Sequence, residues 1–368
     1  MKILWLTWKD KENPASGGAE VVNEEIAKRL ARDGHKVIFL VGGFKGCPIE
    51  EQIDGYRVVR LGNRWSVYWK AYRYYNNNLR GWADLVIDEV NTIPFFCKFY
   101  VKEKNILLFY QLCREIWFYQ LPWFLGLIGY LLEPIYLWSL KDKIVLTESE
   151  STKNDLLKYG FKKSGVFVFP IGLEHKPISE TEFLSQKKEE SPTILSLGAV
   201  RSMKRTDHII RAFEIAKKQI KTLKLTIAGD AHDRFGQKII AMIDNSLEKD
   251  SINYFGRVNG EKKIKLMQSS QLICVTSVKE GWGLIVTEAN SQGTPAIVYD
   301  VDGLRDSCKN NITGVVCKKN INDLAHTMIK VLSDKESYEK YRINAWRDSF
   351  NYDYDKTYDM VLGIIKTI

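Results

Sequence analysis

The sequence predicts an α/β protein built as two Rossmann-like, parallel-sheet domains facing across a cleft. Three observations point there. Short apolar runs alternate with amphipathic helical patterns over residues 1–170, and the alternation starts afresh after residue 192. A polar stretch ending at Pro192 separates the two series. In the second series an apolar run (Leu272, Ile273, Cys274, Val275) enters a helical pattern (Leu284, Ile285, Glu288, Ala289) through a Gly-x-Gly turn. Sheets of this kind bind ligands beyond the carboxyl ends of their strands.

The first series opens as a βαβ unit. Residues 3–6 read as a buried strand, 9–18 as a polar loop ending in Gly17 and Gly18, and 19–32 as a helix. Val22, Ile26 and Leu30 make the helix's apolar stripe and Gly34 stops it. Strands are expected at 37–41, 56–60, 85–88, 106–110 and 143–147, followed by a helix over 147–159 capped by Ser149, Ser151 or Thr152. Residues 117–140 are the most apolar stretch, interrupted by Pro122, Glu133 and Pro134. The cleanest piece, 123–132, is about ten residues against the ~20 a spanning helix needs, which predicts a buried or interfacial helix. Domain boundaries follow at 1–172 and 193–345, with 173–192 as linker region. Strands of the second domain are expected at 193–197, 224–228, 252–255, 272–275 and 296–299, with helices such as 207–220 and 261–269 between them. Residues 338–368 read as helices, Trp346, Phe350, Tyr354, Tyr358 and Leu362 falling near four-residue spacing.

Composition narrows the function. The net charge of +9 is spread over both halves: 24 basic and 19 acidic residues up to Pro170, 30 and 26 after it. With no basic block or tail, no nucleic-acid partner is expected. A mild positive field suits anionic substrates or an anionic membrane surface. The six cysteines form no C-x-x-C pair and no Cys/His cluster at metal spacing, so a reducing compartment and no structural metal are expected. No long apolar stretch opens the chain, so no signal peptide is expected and the location reads as cytoplasmic. Gly42, Gly43 and Gly46 lack phosphate-loop spacing, and no G-x-G-x-x-G opens either half, which argues against a dinucleotide oxidoreductase.

The chemistry concentrates at residues 280–288. Glu280 precedes the turn made by Gly281, Trp282 and Gly283, Leu284 starts the helix and Glu288 lies inside it. A strand entering a helix through glycines aims backbone N–H groups at one spot, where the helix dipole favours an anion. From Trp282 to Glu288 the helical rise is roughly 9 Å, about the reach from a sugar across a diphosphate to a ribose. The spacing suits a nucleotide-sugar, with a carboxylate for the hydroxyls at each end. Lys204, with Arg201 and Arg205 close by, follows the strand ending at Leu197 and Gly198. Cations at that strand end would neutralise a diphosphate, Arg by forking onto two oxygens and Lys as a point charge.

This constellation resembles the retaining, nucleotide-sugar-dependent glycosyltransferases of family 4, also called group 1, whose fold is GT-B. The resemblance runs through nearly the whole chain and is most specific in its second half. It is carried by Gly17, Gly18, Ala19 and Glu20, by residues 147–152, by 197–204, by Ile227 to Asp230, by 280–288, by Gly293, Thr294 and Pro295, and by 300–306. It implies that Glu280 holds hydroxyls of the transferred sugar and that Glu288 accepts from the ribose hydroxyls. Lys204 and Arg201 would stabilise the departing diphosphate. Amides at Gly281, Trp282, Gly283 and Leu284, and at Gly17 and Gly18, would add donors. Each such group would contribute about 3–4 kcal/mol where charge develops. A C-terminal helix, residues 346–368, would cross back to the N-terminal domain.

The resemblance implies no cofactor and no metal, the nucleotide-sugar being the substrate. Asp300 and Asp302 have Asp-x-Asp spacing but match the family's strand-to-loop segment. Two positions depart from the family's pattern. Ala199 stands where a basic residue is usual, and Tyr110, followed by Gln111 on the acceptor side, stands where many members have His. The expected reaction moves a sugar from a UDP- or GDP-type donor to a hydroxyl of a glycan or lipid-linked acceptor. A GT-B sugar-nucleotide epimerase, or a weakened glycan- or nucleotide-binding protein, are the other readings of the same residues. Trp65, Tyr68, Trp69 and Tyr72, with Lys70, Arg73 and Arg80 between or after them, and later Trp117 to Phe124, read in part as core packing and in part as a basic, aromatic surface that either stacks on acceptor sugars or makes peripheral contact with the inner face of the cell membrane.

Overall fold

The computed structural model describes residues 1–368, which divide into two compact units. The first comprises residues 1–172 and 353–368, the second residues 173–352.

The first unit holds an eight-stranded sheet. Its strands are β1 (Lys2–Leu6), β2 (Lys36–Val41), β3 (Glu50–Ile53), β4 (Tyr56–Arg60), β5 (Leu85–Glu89), β6 (Asn105–Phe109), β7 (Val145–Thr147) and β8 (Val166–Val168). The order is β3-β4-β2-β1-β5-β6-β7-β8, parallel throughout except for the β3–β4 hairpin. Because helices cover both faces, the central strands are apolar on both sides and read as continuous runs. Trp5 packs edge-to-face on Phe39 at 5.1 Å across the β1–β2 pairing. The helix Gly18–Arg32 buries Val22, Ile26 and Leu30, as its stripe predicts. The helix Glu150–Lys158 is shorter than expected, and Ser149 is its cap, accepting from the Thr152 amide. The helix Tyr354–Thr367 closes this unit: Tyr358 donates to Asp33 at 2.6 Å and Thr357 to the Pro170 carbonyl at 2.8 Å.

The second unit holds six parallel strands: β9 (Thr193–Leu197), β10 (Lys224–Ala228), β11 (Ile252–Tyr254), β12 (Leu272–Val275), β13 (Ala296–Tyr299) and β14 (Gly314–Cys317). Their order, β11-β10-β9-β12-β13-β14, is the doubly wound 3-2-1-4-5-6 arrangement, with its switch point between β9 and β12. The first sheet has the corresponding switch between β1 and β5.

Three strands, β3, β8 and β14, were not expected. All lie at sheet edges: β3 is polar, while β8 and β14 are apolar but only three and four residues long. For β3 a signal existed: Asp54 and Gly55 have φ +42° and +89° between paired Ile53 and Tyr56, a two-residue hairpin turn. Residues 173–192, the linker region, are partly helical. They contain the helix Glu180–Ser185, whose Phe183 is buried against Trp346 at 4.4 Å. Trp346 itself donates to the Ile178 carbonyl at 2.8 Å, so the return to the first unit starts at Asp353 rather than at residue 346.

The apolar stretch forms one helix, Trp123–Leu140, running through both Glu133 and Pro134. Pro134 removes a backbone donor and so orphans the Tyr130 carbonyl, but Arg114 Nη1 donates to that oxygen at 3.2 Å. The Trp117 indole lies on Gly129, where a Cβ would come within 2.5 Å of it. Gly129→Ala should therefore destabilise the protein by about 1–3 kcal/mol, although Ala is the better helix former. Gly363→Ala, in the helix Tyr354–Thr367 with nothing within 4 Å of the new methyl, should instead stabilise by about 0.5–1 kcal/mol. Urea unfolding of the two variants checks the opposite signs.

Candidate active site

The switch point of the second sheet lies between the neighbouring strands β9 and β12. The β9 loop turns at Gly198, φ +126°, makes one tight turn over Ser202–Lys204 and enters the helix Thr206–Lys217 through Arg205 at φ +52°. Hydrogen bonds join this loop to the β12 loop: Val278 N donates to the Met203 carbonyl at 2.8 Å, and Thr276 Oγ1 to the Lys204 carbonyl at 2.9 Å. The two loops thereby bring Lys204 Nζ onto Glu280 Oε1 as an ion pair. Ser277 Oγ also donates to that oxygen, at 2.5 Å, and the Glu280 amide donates to the Asp302 carbonyl at 3.1 Å. Arg201 is exposed and joins no ion pair.

Gly281 and Trp282 lead to Gly283, which caps the helix Leu284–Ser291 at φ +92°. A Cβ on Gly283 would meet Leu304 at 2.7 Å, and one on Gly303 would meet the Glu280 carbonyl at 2.3 Å, so both positions require glycine. The Leu284 end of the helix presents N–H groups without intrahelical partners. Trp282 packs on Tyr352 at 5.8 Å and its indole N–H is buried without an acceptor.

Glu288 is held apart from the Lys204–Glu280 pair. It accepts from Lys263 Nζ at 2.7 Å, and Lys263 also approaches Glu174 at 3.7 Å. Burial raises the Glu288 pKa while Lys263 opposes the rise. Sequence reasoning missed Lys263, which stands in an ordinary polar helix, Gly260–Ser269, with no motif around it. Asp300 and Asp302 are occupied by Arg305 and Lys279, Lys279 reaching Asp302 at 2.8 Å.

The first unit places a second cluster at its own switch point. The Gly17 amide donates to Glu20 Oε2 at 2.6 Å, and Lys9 lies 3.1 Å from the same oxygen. Gly17 is therefore not an open donor, as the glycine pair led one to expect, because Glu20 caps its own helix; Gly18 begins the helix. Tyr110 is buried and donates to Asn23 Oδ1 at 2.6 Å, and Asn23 donates to Glu89 Oε2 at 2.6 Å. The phenol is thus a link in an internal chain, with its pKa pushed well up by burial. Gln111 is half-buried and its Oε1 has no partner. Asn23 and Glu89 were missed, although the acid pair Asp88 and Glu89 ending an apolar strand was readable as a buried acid at a carboxyl end. Burial, reinforced by the nearby charge of Glu20, pushes Glu89 up to about 8.

Two Rossmann-like units in one chain, with a C-terminal helix completing the first, make this a GT-B protein. The chain belongs to the group 1 glycosyltransferases of family 4. Residues 16–176 match the family described as Glycosyltransferase Family 4, and residues 179–348 match Glycosyl transferases group 1. As a member it transfers a sugar from a nucleotide-sugar. It is 24% identical to an uncharacterised glycosyltransferase of Methanocaldococcus jannaschii, over 93% of this chain and 94% of that one. It is 23% identical to the N-acetyl-alpha-D-glucosaminyl L-malate synthase of Bacillus anthracis, over 88% and 86%. The fold matches sucrose-phosphate synthase of Thermosynechococcus elongatus with TM-score 0.78 at 17% identity, covering 100% of this chain and 98% of that one. It matches Anabaena Alr3699/HepE, solved in complex with UDP-glucose, with TM-score 0.75 at 16% identity and complete coverage of both chains, 100% each.

Because the Glu89 pKa is raised from 4.5 to about 8 on folding, the folded state binds the extra proton between those values. Stability should fall as pH rises through that window. Glu89→Gln, which still accepts from Asn23, should remove up to about 5 kcal/mol of this dependence, measured as the pH-dependent difference in urea midpoint between variant and wild type.

Proposed function

We propose that this glycosyltransferase uses a UDP-sugar, retains the anomeric configuration and works without a metal, passing the sugar to a hydroxyl of a glycan or lipid-linked acceptor. The observation that carries the reading is the Lys204–Glu280 pair beside the Gly283-capped helix end. A cation, an acid and a set of unpaired amides converge there, as a diphosphate joined to a polyol requires.

On donor binding, Lys204 exchanges its partner from Glu280 to the diphosphate. Glu280 is then free to accept from sugar hydroxyls, with Ser277 keeping it oriented. Arg201, already unpaired, adds charge at the leaving group. Glu288, kept ionisable by Lys263, accepts from the ribose hydroxyls. The acceptor oxygen attacks the anomeric carbon on the face the diphosphate leaves. The carbon–oxygen bond to phosphate breaks as the new glycosidic bond forms, and the acceptor's proton passes to the departing phosphate oxygen. Tyr110, bonded inward to Asn23, supplies no proton relay; it orders the acceptor-side wall with Thr152, which donates to the Tyr110 carbonyl at 3.0 Å.

The choice of a uridine donor is motivated by the likeness to Alr3699/HepE, which holds UDP-glucose. A thermal-shift screen should show UDP-sugars raising the melting temperature more than GDP- or ADP-sugars. Lys204→Ala and Glu280→Gln should each lower slow donor hydrolysis by about 100- to 1,000-fold, and chelators should leave it unchanged. A full rate in either variant, or loss of hydrolysis with EDTA, refutes the corresponding part.

A further inference from the structure

The helix Trp123–Leu140 is inside out. Its inward stripe is Gly126, Gly129, Glu133, Leu137 and Leu140, all buried. Its outward stripe includes Trp123, Ile128, Leu131, Ile135 and Trp138, all exposed. The side facing protein thus carries two glycines and an acid, while the side facing solvent carries the large apolar groups. A soluble protein's surface helix has the reverse polarity. The inward acid is firmly held: Glu133 accepts from the Cys113 and Arg114 amides, each at 2.7 Å, and from the Trp117 indole at 3.0 Å. Those bonds fix which face turns out.

The exposure continues on neighbouring segments of the same unit. Of the chain's ten tryptophans, four are more than half exposed: Trp65 at 64%, Trp69 at 63%, Trp123 at 74% and Trp138 at 65%. Phe99, Phe118 and Tyr119 are also exposed. The side chain of Gln120 links the two regions by accepting from Arg64 at 3.2 Å. Monomeric proteins rarely leave apolar surface of this kind uncovered.

Charge decides what covers it. Residues 61–83 hold four basic side chains, Arg64, Lys70, Arg73 and Arg80, and no acid. Lys141 lies 4.7 Å over Trp138, and Arg64 lies 5.1 Å over Trp65, so cations rim the aromatic groups. Tryptophan with lysine and arginine around an aliphatic ridge matches the boundary between anionic headgroups and acyl chains. A second copy of this face would oppose cation to cation. The helix does not span: the Glu133 bonds and the Trp117 ring against Gly129 tie it lengthwise to its own unit.

We propose that the outward face of the helix Trp123–Leu140, flanked by Trp65 and Trp69, is a docking surface for an anionic lipid bilayer, into which it embeds parallel to the membrane plane. The inference is independent of the donor assigned above. Its test uses the full chain, co-sedimented with phosphatidylcholine vesicles with and without phosphatidylglycerol. Wild type should bind the anionic vesicles, less so at high salt, with a blue shift of tryptophan emission, and should bind neutral vesicles several-fold more weakly. Ile128→Glu/Ile135→Glu should cut the bound fraction at least about tenfold while keeping the wild-type donor hydrolysis and melting temperature. Binding by the double variant equal to wild type, or no vesicle binding by wild type, overturns the proposal. So does a wild-type dimer that the double variant converts to monomer without any vesicle binding, because a second copy would then be the occupant.

Discussion

The ion pair between Lys204 and Glu280 is what the site in the second unit is organised around, and it is a consequence of strand order. Neither residue is near the other in sequence. They meet because β9 and β12 are adjacent at the point where the winding reverses, and because backbone bonds such as Val278 to Met203 hold the two departing loops together. The glycines at 283 and 303 then let the following helix and loop approach closely enough to support Glu280 from behind. Without a ligand, the pair satisfies two charges that are each partly removed from water. On the role proposed above, a diphosphate would offer the same lysine a partner bearing more negative charge, and the exchange would free an acid for hydroxyls. In that proposal, pairing each group with its neighbour would keep both in place between turnovers.

Much of this was legible from the residues. Central strands are continuous apolar runs because both sheet faces are covered, and β4, β9, β10, β12 and β13 fall where those runs lie. The edge strand β3 is polar and carries no such signature, and the edge strands β8 and β14 are very short runs, whereas β11, also at an edge, was readable. The helix Trp123–Leu140 runs through Pro134, with Arg114 supplying a donor for the carbonyl the proline leaves, a contact that local reading cannot supply. At the site, the glycine turn leading into a helix between Glu280 and Glu288 was readable from the sequence. The lysine that holds Glu288 did not show, because a salt bridge between separate helices leaves no mark on the spacing within either.

The first unit shows a different economy of polar groups. Tyr110, Asn23 and Glu89 form a chain of donors and acceptors sealed from water, so the position where relatives in the family often carry an imidazole is here an internal fastening. Glu20 uses the Gly17 amide for itself. In this unit, then, groups that a motif suggests are offered to a ligand are instead engaged with the protein's own helix.

The order of the chain also bears on biogenesis. Residues 173–352 are inserted between two portions of a single unit. As the nascent chain emerges, the second unit can complete its sheet as soon as its own strands are out. The first unit is completed only when the helix Tyr354–Thr367 arrives, some 180 residues of translation later, and Tyr358 and Thr357 reach Asp33 and the Pro170 carbonyl.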